Sequence, residues 1–122
     1  MPISLAFDGT FAELEMRVWG VITDTDLSGL MRDLVASNEL GMGVRALADL
    51  REMERVEIAN EELRKFAADF RTGRIERLAF LTSSELGYGL ARMYQIRRED
   101  EKMKVGVFRD LEAAQAWLRD SE

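Results

Sequence analysis

"VRALADL", residues 44–50, is apolar except at Arg45 and Asp49, and its reading decides the fold. A half-wet strand alternates apolar and polar positions, whereas a short, mostly apolar run fits a strand covered on both faces. Parallel strands of that kind are joined by helical crossovers, and the flanks supply them. Upstream, residues 24–38 carry Leu27, Leu30, Met31, Leu34 and Val35, the spacing of a helix lying on a core. Thr23 or Asp24 can cap that helix, and Gly41 and Gly43 stop it. Downstream, Asn60 caps a second helix with Leu63, Phe66, Ala67 and Phe70 inward and Gly73 closing it.

The pattern repeats outward. "RLAFLT" (77–82) is another buried strand, residues 84–98 another helix, and "KVGVF" (104–108) the last strand. Asp110 caps a last helix with Leu111, Ala114, Trp117 and Leu118 facing in. At the start, "ISLAF" (3–7) meets the turn pair Asp8-Gly9 and then "ELEMRVWG" (13–20), whose Leu14, Met16 and Val18 share one face. Residues 3–19 therefore form a hairpin, which Gly20 ends. The order β-β-α-β-α-β-α-β-α implies an α/β fold, with a mostly parallel five-stranded sheet, four helices and an antiparallel first strand.

Three stretches carry a family likeness: "VWGVITDTDLSGL" (18–30), "RALADLREME" (45–54) and "VFRDLEAAQAWL" (107–118). With the element order, they make the chain resemble the STAS domain of anti-sigma-factor antagonists in its SpoIIAA-like version. That resemblance implies a small non-enzymatic regulatory or ligand-carrying domain, related in fold to CRAL-TRIO lipid binders and often dimeric. Phosphoregulated STAS domains place a serine or threonine at the start of the helix after the third strand. The matching segment "DLREMERVEIANEE" (49–62) has neither residue, so that switch does not carry over.

The 122 residues suit one domain, 1–122, and 47% hydrophobic content supports a core. Net charge is −6, from 17 basic and 23 acidic residues, which argues against nucleic acid as a partner. Membrane contact is peripheral at most, through the helix bearing Phe66 and Phe70 with Arg64, Lys65, Arg71 and Arg74 nearby. Cysteine and histidine are both absent. Disulfides, thiol nucleophiles, histidine triads and the common zinc sites are thereby removed, and no cofactor or metal is expected. No secretory signal or membrane-spanning run is present, so a cytoplasmic location is expected.

Ligands of open α/β sheets bind outside the carboxyl ends of the strands. Asp49, Arg51, Thr82, Ser83, Ser84, Arg109 and Asp110 fall there. Asp49 ends an otherwise apolar strand and needs donors, from a loop or an arginine. "TSSELGYGLARMY" (82–94) runs from a strand through hydroxyls into a helix, the parts of an anion site. Gly87 and Ala91 form a small face that admits a ligand or another helix, while Tyr88 and Arg92 stand one turn apart beside it. Gly89 lies off that face. The candidate ligand-binding residues are Asp49, Ser83, Ser84, Tyr88 and Arg92, for a small apolar or anionic-headed ligand. Methionines including Met16, Met31, Met53, Met93 and Met103 either line an adaptable apolar pocket or fill the core. No base is spaced beside a nucleophile, so an enzyme is not expected. The other reading is an interaction module or homodimer without a pocket. An edge at the start of the sheet needs covering, so a homodimer is expected, with Trp19 on the polar face of its strand as a contact.

Overall fold

A computed structural model of the chain describes residues 3–7, 12–36, 43–59, 61, 75–85, 87–89, 91–92 and 104–119. Five strands form one sheet in sequence order: β1 (Ile3–Phe7), β2 (Leu14–Thr23), β3 (Val44–Glu57), β4 (Ile75–Leu81) and β5 (Lys104–Phe108). β1 is antiparallel to β2, and every later pairing is parallel. Helix α1 (Asp24–Ala36) joins β2 to β3, helix α2 is described at 85, 87–89 and 91–92, and α3 (Leu111–Arg119) follows β5. The helix expected from Asn60 to Gly73 lies, beyond the helical Glu61, outside the described residues. The basic residues expected around that helix lie outside them too.

The sheet has two differently covered faces. Leu14, Met16, Val18 and Ile22 of β2 pack with Val44, Ala46, Ala48, Leu50 and Met53 of β3, and with Leu30 of α1. Met16 and Met53 are thus core residues; the other methionine side chains named above lie outside the described residues. On the opposite face, Leu47, Ala79 and Leu81 meet Ala114 and Leu118 of α3, with Phe108, Leu111 and Trp117 around them. Two sheet arginines hold the end of α3. Arg77, only 6% exposed, donates from Nη1 to the Trp117 carbonyl at 2.7 Å and lies 5.1 Å from the Trp117 ring centroid. Arg45 donates to the Leu118 carbonyl. Cations at a helix carboxyl end satisfy its unpaired carbonyls and complement its dipole. Gly106 makes room for this packing: a Cβ there would lie 2.6 Å from the Phe108 ring and 3.3 Å from that of Trp117.

The helix starts obey the capping rules read from sequence. Thr23 and Asp26 form a reciprocal cap on α1, with the Thr23 N–H donating to Asp26 Oδ2 at 2.9 Å and the Asp26 N–H to Thr23 Oγ1 at 3.4 Å. Asp110 caps α3 by accepting from the Ala113 N–H at 3.3 Å.

Two strand limits are corrected. Gly20 does not end β2, which continues to Thr23; with φ of 69° the glycine adopts a left-handed conformation beside a register shift. The run 44–50 is only the first half of β3, which extends to Glu57. Its second half, "REMERVE" (51–57), has charges at consecutive positions, so neither period is visible. It is a strand because β2 continues beside it: Trp19 pairs with Glu52, Gly20 with Met53, Val21 with Arg55 and Ile22 with Val56. Between Arg17–Asp49 and Trp19–Glu52, and again between Gly20–Met53 and Val21–Arg55, β3 takes one extra residue. These two bulges keep Met53 and Val56 on the apolar face.

Candidate functional site

The parallel strands β3, β4 and β5 end their shared pairing side by side at Asp49, Leu81 and Phe108. The segments leaving them therefore meet at one end of the sheet. Asp49 is held by the residue two places on. The Arg51 N–H and Nε both donate to Oδ1 at 3.0 Å, and Nη2 donates to Oδ2 at 2.8 Å. Burial of the Asp49 carboxylate pushes its pKa up, but the hydrogen bonds and charge of Arg51, aided by the charge of Arg17, outweigh this and hold it below 3.8. The hydrogen bond to Asp49 keeps Arg51 above its ordinary value. The arginine partner weighed from sequence is thus Arg51.

The hydroxyl run divides by role. Thr82 is fully buried and ties β4 to β5, its N–H donating to the Phe108 carbonyl at 2.9 Å. Ser83 is exposed and donates its hydroxyl to the Arg51 carbonyl at 3.0 Å, joining this loop to β3. Ser84 accepts the Gly87 N–H at 3.0 Å and so caps α2. Gly87 is the point of close approach: a Cβ there would stand 3.3 Å from Ser84 Oγ and 3.6 Å from Thr82 Cβ. The chain's own cap occupies the space beside it. At Gly89 a Cβ would meet nothing within 4 Å.

Tyr88 is half-buried, and the guanidinium of Arg109, the first residue after β5, lies 4.5 Å from its ring centroid. Arg92 is exposed one turn further along α2. The structure thus links Asp49 and Ser83 through Arg51, and sets Ser84, Tyr88 and Arg92 along α2. The Tyr88–Arg109 contact was missed in sequence, although a signal for it existed. Adjacent parallel strands bring the helix after β4 beside the loop after β5. Among the described residues, no three acidic side chains gather as a metal site, and no helix is long and apolar enough to cross a membrane.

Sheet order and strand-end site together define a small α/β domain, with polar side chains gathered outside the carboxyl ends of its parallel strands. The model of the SpoIIAA-like family matches residues 14–119, and the chain belongs to that family. The fold is also that of an uncharacterised protein of the DUF3478 family with a SpoIIAA-like fold, from Shewanella loihica PV-4. That likeness has a TM-score of 0.62 at 17% identity, covering 95% of this chain and 91% of the other. No curated protein matches the chain. The resemblance drawn from residues 18–30, 45–54 and 107–118 is borne out at the level of family and fold.

Proposed function

We propose that this SpoIIAA-like domain is a non-enzymatic regulatory or carrier module that binds a small ligand with an anionic head at the strand ends. The observation carrying the reading is Arg109 over the face of Tyr88, 4.5 Å from its centroid, beside the start of α2. An arginine seated on an aromatic ring keeps N–H groups directed outward for an anion, and the ring offers an apolar surface to the rest of the ligand. Arg92 lies on the same helix and adds positive charge. Acid–base catalysis is a poorer account. Both Asp49 oxygens are engaged by Arg51, and the Ser83 hydroxyl is committed to a carbonyl rather than to a base.

Native mass spectrometry of the purified protein tests this reading, since a carrier retains a small molecule on gentle ionisation. Arg109→Ala and Arg92→Ala should each weaken retention by roughly 1.5–3 kcal/mol, the range for hydrogen bonds to charged groups. Because both arginines are exposed, the melting temperature of the ligand-free protein should barely move. Early unfolding with unchanged occupancy makes these arginines structural and displaces the site.

A further inference from the structure

We propose that two copies of the chain pair through the outer edge of β1, antiparallel about Leu5, joining their sheets into one. Among the described residues, β1 pairs only with β2, so alternate backbone N–H and C=O groups along Ile3–Phe7 face outward. Exposed edges normally carry charge, proline or bulges that prevent such pairing. The other open edges here do. β3 past Asp49 has two bulges together with Arg51, Glu52, Glu54, Arg55 and Glu57, and β5 begins at the exposed Lys104 with Gly106 at its centre. β1 has none of these: "ISLAF" holds no charge, glycine or proline, and its pairing with β2 is unbroken.

The strand is also self-complementary. A two-fold axis at Leu5, perpendicular to the sheet, keeps each residue on its own face. It sets Leu5 against Leu5, Ile3 against Phe7, and Ser4 against Ala6. Ile3 is buried in the α1-side core and Leu5 is half-buried against it, so pairing extends that core across the axis. The exposed Ser4 and Ala6 are small and meet on the other face without crowding. No like charges meet in this register, and apolar cross-strand pairs are the stabilising unit of a sheet. Trp19 sits one residue past Val18, the partner of Ile3, and therefore flanks the joint rather than forming it.

Analytical ultracentrifugation at about 50 µM, a concentration at which micromolar pairs are populated, tests the proposal with two double variants. Ser4→Glu/Ala6→Glu sets carboxylates against each other across the axis and should halve the sedimenting mass. Ser4→Glu/Ala6→Lys makes the same crossings attractive and should keep the dimer. Within one copy, Ser4 lies opposite Arg17 and Ala6 opposite Glu15, so neither variant places like charges at both intrachain crossings. Hydrogen exchange of the unmodified chain is the independent readout: the outward amides of β1 should exchange slowly when concentrated and faster on dilution. A wild type that is monomeric throughout overturns the proposal. A dimer unaffected by the paired glutamates, or loss of the dimer in both variants, overturns this edge or this register.

Discussion

Along Ala46–Asp49, β3 lies between β2 and β4 and is covered on both faces; past Asp49, among the described residues, only β2 remains beside it. In the first region Ala46, Leu47 and Ala48 are buried in succession, because one face meets the α1 side and the other meets α3. In the second, Leu50 and Met53 are buried while Arg51, Glu52, Glu54, Arg55 and Glu57 are exposed. One strand thus serves first as the middle of a dry sheet and then as a ribbon edge. The difference teaches that backbone pairing continues where side-chain burial stops, provided bulges re-aim the few apolar residues that remain. Asp49, with its Arg51 clamp, marks the seam between the two regions.

If the dry region carries the stability, Leu81→Ala should cost roughly 2–5 kcal/mol, since the side chain is fully buried and its cavity cannot collapse easily. Val56→Ala on the ribbon, where the side chain is half-buried, should cost less than about 1.5 kcal/mol. Urea titrations of both variants make the measurement, and equal losses break the contrast. Next in size is Arg77→Met, which keeps an apolar stem against Trp117 but removes the hydrogen bond to its carbonyl. It should lose roughly 1.5–3 kcal/mol, together with a change in near-ultraviolet circular dichroism from the loosened indole. An unperturbed spectrum would show that Ala114, Leu118 and the Arg45 hydrogen bond hold α3 without Arg77.

The α1-side pattern, the caps at Thr23 and Asp110, and the buried runs at 44–50 and 77–82 were legible because each obeys a single period or cap rule. The ribbon was not. "REMERVE" reads as a solvated loop unless one knows that β2 continues past Gly20, and a lone glycine signals an ending as readily as a bulge. At the site, the strand-end placement of Asp49, Ser83 and Ser84 could be read, whereas the Arg109–Tyr88 contact needed the order of β4 and β5.

Beside the seam, α2 allows a smaller test. Gly89→Ala has open space and should raise stability by about 1 kcal/mol, as alanine does in a helix interior. Gly87→Ala should gain less, because its methyl presses on the Ser84 hydroxyl at 3.3 Å. Thermal melts of the two variants compare them directly, and equal gains would mean the cap yields freely. The smallest effect belongs to the seam itself. Asp49 is held below its ordinary 3.8 in the folded chain, so the clamp contributes stability above about pH 4 and loses it as pH falls through the lowered folded value. Asp49→Asn should therefore be less stable than wild type at neutral pH by under about 1 kcal/mol. The two stability curves should converge in acid, and a gap that persists there would assign the loss to packing.

The chain's two tryptophans stand on opposite sides of the contrast between regions. Trp19, 37% exposed, lies on the outer surface of β2 with Arg17 at 5.8 Å; Trp117 is half-buried between its own helix α3 and the sheet, tilted against Phe108 at 5.5 Å. Each reports optically on its own surroundings. Emission from Trp19 should be red-shifted and readily quenched by acrylamide, while that from Trp117 should be bluer and shielded. Replacing either with phenylalanine leaves a single tryptophan, which red-edge excitation selects over the two tyrosines, so events at the open surface and at the helix-covered face can be followed separately without attaching a dye.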